Sequence, residues 1–217
     1  MGPASIEHAR DRFLAVFPQG FEDREYLRRE RNYKVRVHEK WEELLGQPRY
    51  RSFIESENYT EVARLALQAD RRLNLLFPQE KAALKDALAD DDGAKLFAIG
   101  LYSLLHGKGE LPGRFETFAK YMDALPQPGT PLRWPAITIF PFIAQPQQHL
   151  FLKPNVTKAV ANAAGRQLNY QTEPNWLTYT SLLDLGRWLG DRLADLRPRD
   201  NFDIQSFIWV TGSDSYT

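Results

Sequence analysis

The run PQPGTPLRWPAITIFPFIAQP, residues 126–146, carries prolines at 126, 128, 131, 135, 141 and 146 among Trp134, Ile137, Ile139, Phe140, Phe142 and Ile143. Each proline fixes φ and removes a backbone donor, so this density predicts no helix. Disordered linkers lack such large apolar side chains. The expectation is therefore an ordered Pro-rich loop over 126–148, packed on the core, with one short strand at 136–140. A loop this apolar joins its flanks rather than separating them. It predicts one all-α domain, 1–217, with helical subregions 5–125 and 149–210 and about eight helices.

Working outward, apolar residues recur at helical spacing over about 5–17, 22–45, 58–76, 79–90, 94–106, 114–125, 155–164, 175–196 and 204–210. Residues 94–106 hold Leu96, Phe97, Ile99, Leu101, Tyr102, Leu104 and Leu105 around most of a circumference, which predicts the central buried helix. Asp90-Asp91-Asp92-Gly93 reads as a turn, Gly107-Lys108-Gly109 as a helix stop, Asp203 as the N-cap of the last helix, and 211–217 as a frayed tail.

The 217 residues include 28 Lys+Arg and 28 Asp+Glu, so bulk charge steers the chain toward neither nucleic acid nor an acidic membrane. With no cysteine, disulfide, thiolate and Cys-metal chemistry are excluded. The start, Met1 to Ser5, lacks a secretory pattern, and no apolar run is long enough to span a bilayer. The expectation is a soluble, cytoplasmic protein.

Catalytic signatures are sparse. His8, His38, His106 and His149 show no metal spacing, and no nucleophile elbow or nucleotide loop occurs. No cofactor and no metal is expected. Three features remain. Arg24, Arg28, Arg29, Arg31, Lys34 and Arg36 form the strongest local charge bias, with Tyr26 and Tyr33 interleaved, and could contact phosphates. The competing expectation is a solvated face with Glu25–Arg29 and Glu30–Lys34 pairs. Second, His149, Lys153 and Asn155 could line a ligand cleft with Arg197, Arg199, Asp200, Asp203 and Gln205. The competing expectation there is an ordinary helix-capping network. Third, the loop 134–143 could bind a protein partner, which requires its aromatics to be exposed.

Leu111-Pro112-Gly113, between two helices, resembles the hairpin of helix–hairpin–helix proteins, in which backbone amides hold a DNA phosphate; this adds Gly113 to the phosphate candidates. Phe115 stands where that family's second glycine would be. Lys153-Pro-Asn-Val-Thr157 is similar to a lead-in of the base-excision glycosylases, without their catalytic Asp and Lys. The segments 149–157 and 198–210, the latter of the form Pro-Arg-Asp-x-x-Asp-x-Gln-Ser-Phe-Ile-Trp-Val, together resemble a group of bacterial proteins of similar length. That resemblance implies work near restriction and defence against foreign DNA, and it assigns no catalytic residue. The expected function is a non-catalytic, nucleic-acid-associated or regulatory helical protein. The alternatives are an enzyme with a cleft between 149–155 and 197–205, or a protein-interaction module.

Overall fold

The computed structural model describes residues 5–70, 75–125 and 132–216. Among them the secondary structure is helical, without strands, and comprises eleven helices rather than about eight. These are α1 (Ile6–Val16), α2 (24–45), α3 (Gln47–Glu55), α4 (Tyr59–Asp70), α5 (Pro78–Ala87), α6 (Asp91–His106), α7 (Leu111–Asp123), α8 (Trp134–Ala144), α9 (Pro154–Ala163), α10 (Trp176–Arg192) and α11 (Asn201–Gly212). The extra helices are α3, which follows Gly46 with Pro48 in its first turn, and α8.

The helix α8 overturns the expected loop and strand. Of the 126–148 segment, residues 126–131 lie outside the described residues, but 134–144 is helical and every one of its side chains is buried. A buried segment must satisfy its own backbone polar groups, and a helix does so internally. Pro135 sits in the first turn, where no intrahelical donor is missed. Pro141 forfeits one bond near the end, while Gln145 N–H still reaches Pro141 O at 2.9 Å. Proline density misled because position, not number, sets the cost. A helix apolar on all sides shows no periodicity to read.

The helix buried on every side is α8, which packs against α2, α5 and α6; α6, expected to be the central buried helix, packs against α3, α4, α7 and α8. The helix α6 keeps Lys95 exposed and Tyr102 half-buried. Its start takes in the acidic turn: Asp90 caps it by accepting from Gly93 N–H at 2.6 Å. The expected protein-docking loop fails with the same observation, since Trp134, Ile137, Ile139, Phe140, Phe142 and Ile143 are at most 1% exposed.

One core runs from Ala9 to Val210. The chain order does not follow the two expected subregions: α1 packs against α9 and α11. The tail is not frayed over its described length, since Thr211 is buried and Arg12 donates to Thr211 O and Ser213 O. Leu111-Pro112-Gly113 lies in the first turn of α7, not in a connecting turn, and Gly113 has no positive φ.

Candidate functional site: the inner face of α2 against α11

The helix α2 is not uniform. It begins with a short turn, Arg24–Tyr26, capped by Asp23, continues as a π turn, Leu27–Arg31, and becomes regular over Asn32–Leu45. A π turn carries an extra residue per hydrogen-bonded ring. Across it the adjacent Glu30 and Arg31 both turn into the protein, with side chains 7% and 11% exposed.

They meet the first turn of α11. Asp200 is the N-cap, accepting from Phe202 N–H at 2.9 Å, so the cap lies three residues before the expected Asp203. Asp200 also takes both guanidinium nitrogens of Arg31, at 2.8 and 2.7 Å. Asp203 is fully buried and accepts from Tyr26 Oη (2.5 Å), Arg31 (2.9 Å) and Arg199 N and Nε (2.8 and 2.9 Å). Burial and the neighbouring Asp203 carboxylate push the Tyr26 hydroxyl well above its ordinary range, so it stays protonated and donates. Lys34 Nζ donates to Ser206 Oγ at 2.7 Å and reaches Glu30 Oε2 at 3.3 Å. Burial lowers its pKa, and Glu30 opposes that shift. The Glu30–Lys34 pair is therefore inside the protein, not on a solvated face.

Two of the six basic candidates on α2, Arg31 and Lys34, are thus structural. Arg28 is exposed but pairs with Glu25 at 2.6 Å, an i,i+3 pair in place of the expected Glu25–Arg29. Arg24 is exposed in a shallow depression beside Asp23 and Glu25. Arg29 is exposed with its guanidinium 4.5 Å over the Tyr216 ring, and Arg36 is exposed. Arg29 and Arg36 stand one turn to either side of Tyr33.

The segments 149–155 and 197–205 do converge: Asn201 N–H donates to Pro146 O, and Asn201 Nδ2 to His149 O, both at 3.0 Å. They border two cavities. An open cleft of about 430 Å³ is lined by Gln147, Gln148, Arg187, Arg199, Asp200 and Asn201, with Leu150, Leu183 and Ile204 beneath. Its charged groups are engaged, Asp200 with Arg31, Arg199 with Asp203 and Arg187 with Asp184. His149 does not line it and is buried, its Nδ1 2.8 Å from the Tyr179 hydroxyl. Asn155 is exposed, and Arg197 lies outside in a left-handed conformation (φ 56°), 3.5 Å from Glu22.

The second cavity, about 60 Å³, is narrower and is walled by Glu30 and Tyr33 of α2, Gln205 and Trp209 of α11, Lys153, Phe77, Leu75 and Phe151. Gln205 is 2% exposed, and its Oε1 has no hydrogen-bond partner among the described residues. Lys153 Nζ holds Glu80 at 3.0 Å and Leu75 O at 3.2 Å, and lies 3.6 Å from the centre of the Phe77 ring. Burial lowers the pKa of Lys153, and Glu80 opposes that shift. Phe77, 51% exposed, forms the rim.

Of the sequence candidates, then, Lys153 and Gln205 share this cavity, while Arg199 and Asp200 line the cleft. Glu30, Tyr33 and Phe77 had no place among the cleft candidates. Residues 30, 77, 153 and 205 are far apart in the chain, and no local spacing connects them. Among the described residues no group of His, Asp and Glu side chains could hold a metal ion, and no helix is long and apolar enough to cross a membrane. No protein-family model, curated protein or solved structure matches the chain.

Proposed function

We propose that the chain is a non-catalytic nucleic-acid-binding helical protein that takes single-stranded rather than duplex substrate. The observation that carries this reading is the pairing of two features on α2. Arg29 and Arg36 are exposed and make no ion pair among the described residues, and the residue between them, Tyr33, is a wall of a cavity rimmed by Phe77 and Trp209. Guanidinium groups that hold phosphates beside aromatic walls that stack unpaired bases are the common solution to single-strand binding. A duplex has no base free to meet such walls. The link to defence against foreign DNA rests on the C-terminal resemblance and adds nothing to the geometry.

An enzymatic reading of the open cleft has less support, because its acids and bases are already engaged with one another. The nucleic-acid reading is tested by fluorescence anisotropy with a labelled single strand and a duplex of the same length, across salt concentrations. The single strand is expected to bind more tightly and to weaken with salt. In the Arg29→Gln/Arg36→Gln variant the slope of log K against log salt should fall by about 1.4, at roughly 0.7 for each phosphate no longer neutralised. Absent binding at low salt, or binding indifferent to salt, overturns the proposal.

A further inference from the structure

We infer that the cavity between Lys153 and Gln205 receives the edge of an unpaired guanine base. This rests on the nucleic-acid reading for the strand, but its chemistry comes from the cavity itself. Gln205 belongs to a helix turn in which Phe202 to Ile208 are all buried, and its Oε1 finds no partner among the described residues. A buried acceptor left unsatisfied costs about 1–3 kcal/mol. A methionine of similar length would fill the same space without that cost. The amide is explained if a ligand meets it.

The other polar groups define the ligand. Each oxygen of Glu30 has one donor among the described residues: the Tyr216 hydroxyl donates to Oε1 and the Lys34 ammonium to Oε2. A carboxylate oxygen accepts twice, so one lone pair remains on each. Two adjacent N–H donors match that pair of oxygens. Two of the three Lys153 donors go to Glu80 and Leu75 O, and the third is left beside the Phe77 ring, 3.6 Å from its centre. Guanine offers N1–H and one N2–H side by side for the carboxylate, its second N2–H as the donor that Gln205 Oε1 lacks, and O6 for the Lys153 ammonium. Uracil would set a carbonyl against the carboxylate. Adenine and cytosine offer one exocyclic amino group next to an acceptor nitrogen, and leave one Glu30 oxygen unmatched. Tyr33, Phe77 and Trp209 supply ring faces for stacking. At about 60 Å³ the cavity admits a base edge only. Sugar and phosphate stay outside, where Arg29 and Arg36 flank Tyr33.

The same chemistry could come from a free guanine nucleotide or from a strand, and the test separates them. Four nucleoside monophosphates (GMP, AMP, CMP, UMP) are titrated by calorimetry, and two labelled single strands, all-T and all-T with one central G, by anisotropy. The G strand is expected to bind at least tenfold more tightly than the T strand, and GMP to be the preferred mononucleotide. Gln205→Met should abolish the G preference while melting at or above the wild-type temperature. Phe77→Ala, at an exposed rim position, should weaken G-strand binding about fivefold with unchanged melting. Equal affinity for G and T strands, or a G preference that survives Gln205→Met, overturns the inference even if salt-dependent strand binding upholds the nucleic-acid reading. GMP binding abolished by Gln205→Met, with no strand binding, upholds the base site and overturns the strand reading. No binding of either kind overturns both.

Discussion

His149 shows how a residue suited to catalysis can serve the core instead. Its ring is buried, its Nδ1 sits 2.8 Å from the Tyr179 hydroxyl, and its backbone oxygen accepts from Asn201. Burial, with Arg114 adding a little, lowers its pKa to about 3. The folded state therefore prefers neutral His149, whereas the unfolded chain protonates it near pH 6.5. Stability from this group is complete above about 6.5 and is lost as pH falls toward 3. Between pH 7 and 5 the loss should be about 2 kcal/mol, at roughly 1.4 kcal/mol per pH unit below 6.5. Urea denaturation at the two pH values measures it. In His149→Asn, whose amide oxygen can accept from Tyr179, the decline should shrink by that amount; an unchanged decline would refute the assignment. The residue types at 149, 153 and 205 were legible as polar groups near a cleft. Their surroundings were not, because Lys153 finds Glu80 and Phe77, and Gln205 comes to share a cavity wall with Glu30, only across helix packing.

Among the elements, α11 is the one on which the others are set. Its N-terminal turn holds α2 through Asp200 and Asp203, and its C-terminal turn lies against α9. At Gly212 an added Cβ would stand 2.6 Å from Val156 O and 3.1 Å from Val160 Cγ2. The nearest atom is backbone, so relief requires the two helices to move apart. Gly212→Ala should destabilise by about 1–3 kcal/mol, the usual range for overpacking, read as a fall in the urea midpoint; no change would mean that this contact is looser than its geometry. The helix α8 teaches the complementary lesson. Its apolar side chains correctly announced burial, and its prolines wrongly announced a loop. The helix expected over about 155–164 ends close to where the spacing put it, and the reason is local: Gly165, with a φ of +62°, follows α9, and Arg166 N–H closes on Ala161 O.

Across the whole molecule, first and last helices share one core. Phe13 of α1 packs on Phe207 of α11 at 5.3 Å between ring centres, and Trp41 of α2 on Phe140 of α8 at 5.9 Å. The two regions expected from the sequence interleave through α1 and are tied by the Arg31 ion pairs. Unfolding should therefore be a single transition. Far-ultraviolet circular dichroism and tryptophan fluorescence should give superimposable urea curves, since the five tryptophans report from 41 to 209. Two separated transitions would mean that the halves fold independently.

The sequence by itself determined what depends on composition and near neighbours. The absence of thiol chemistry, the all-helical class, most helix positions and the burial of 134–143 all follow from residue type and spacing. Tertiary structure alone decided which charges are spent inside. Arg31 and Lys34 look no different from Arg29 and Arg36 along the chain, and one π turn and the carboxylates of α11 separate the two pairs. The physical reason is range: periodicity and capping act within a turn or two of helix. The Arg31 ion pairs and the cavity wall of Glu30 and Gln205 join residues that packing brings together from positions more than a hundred apart.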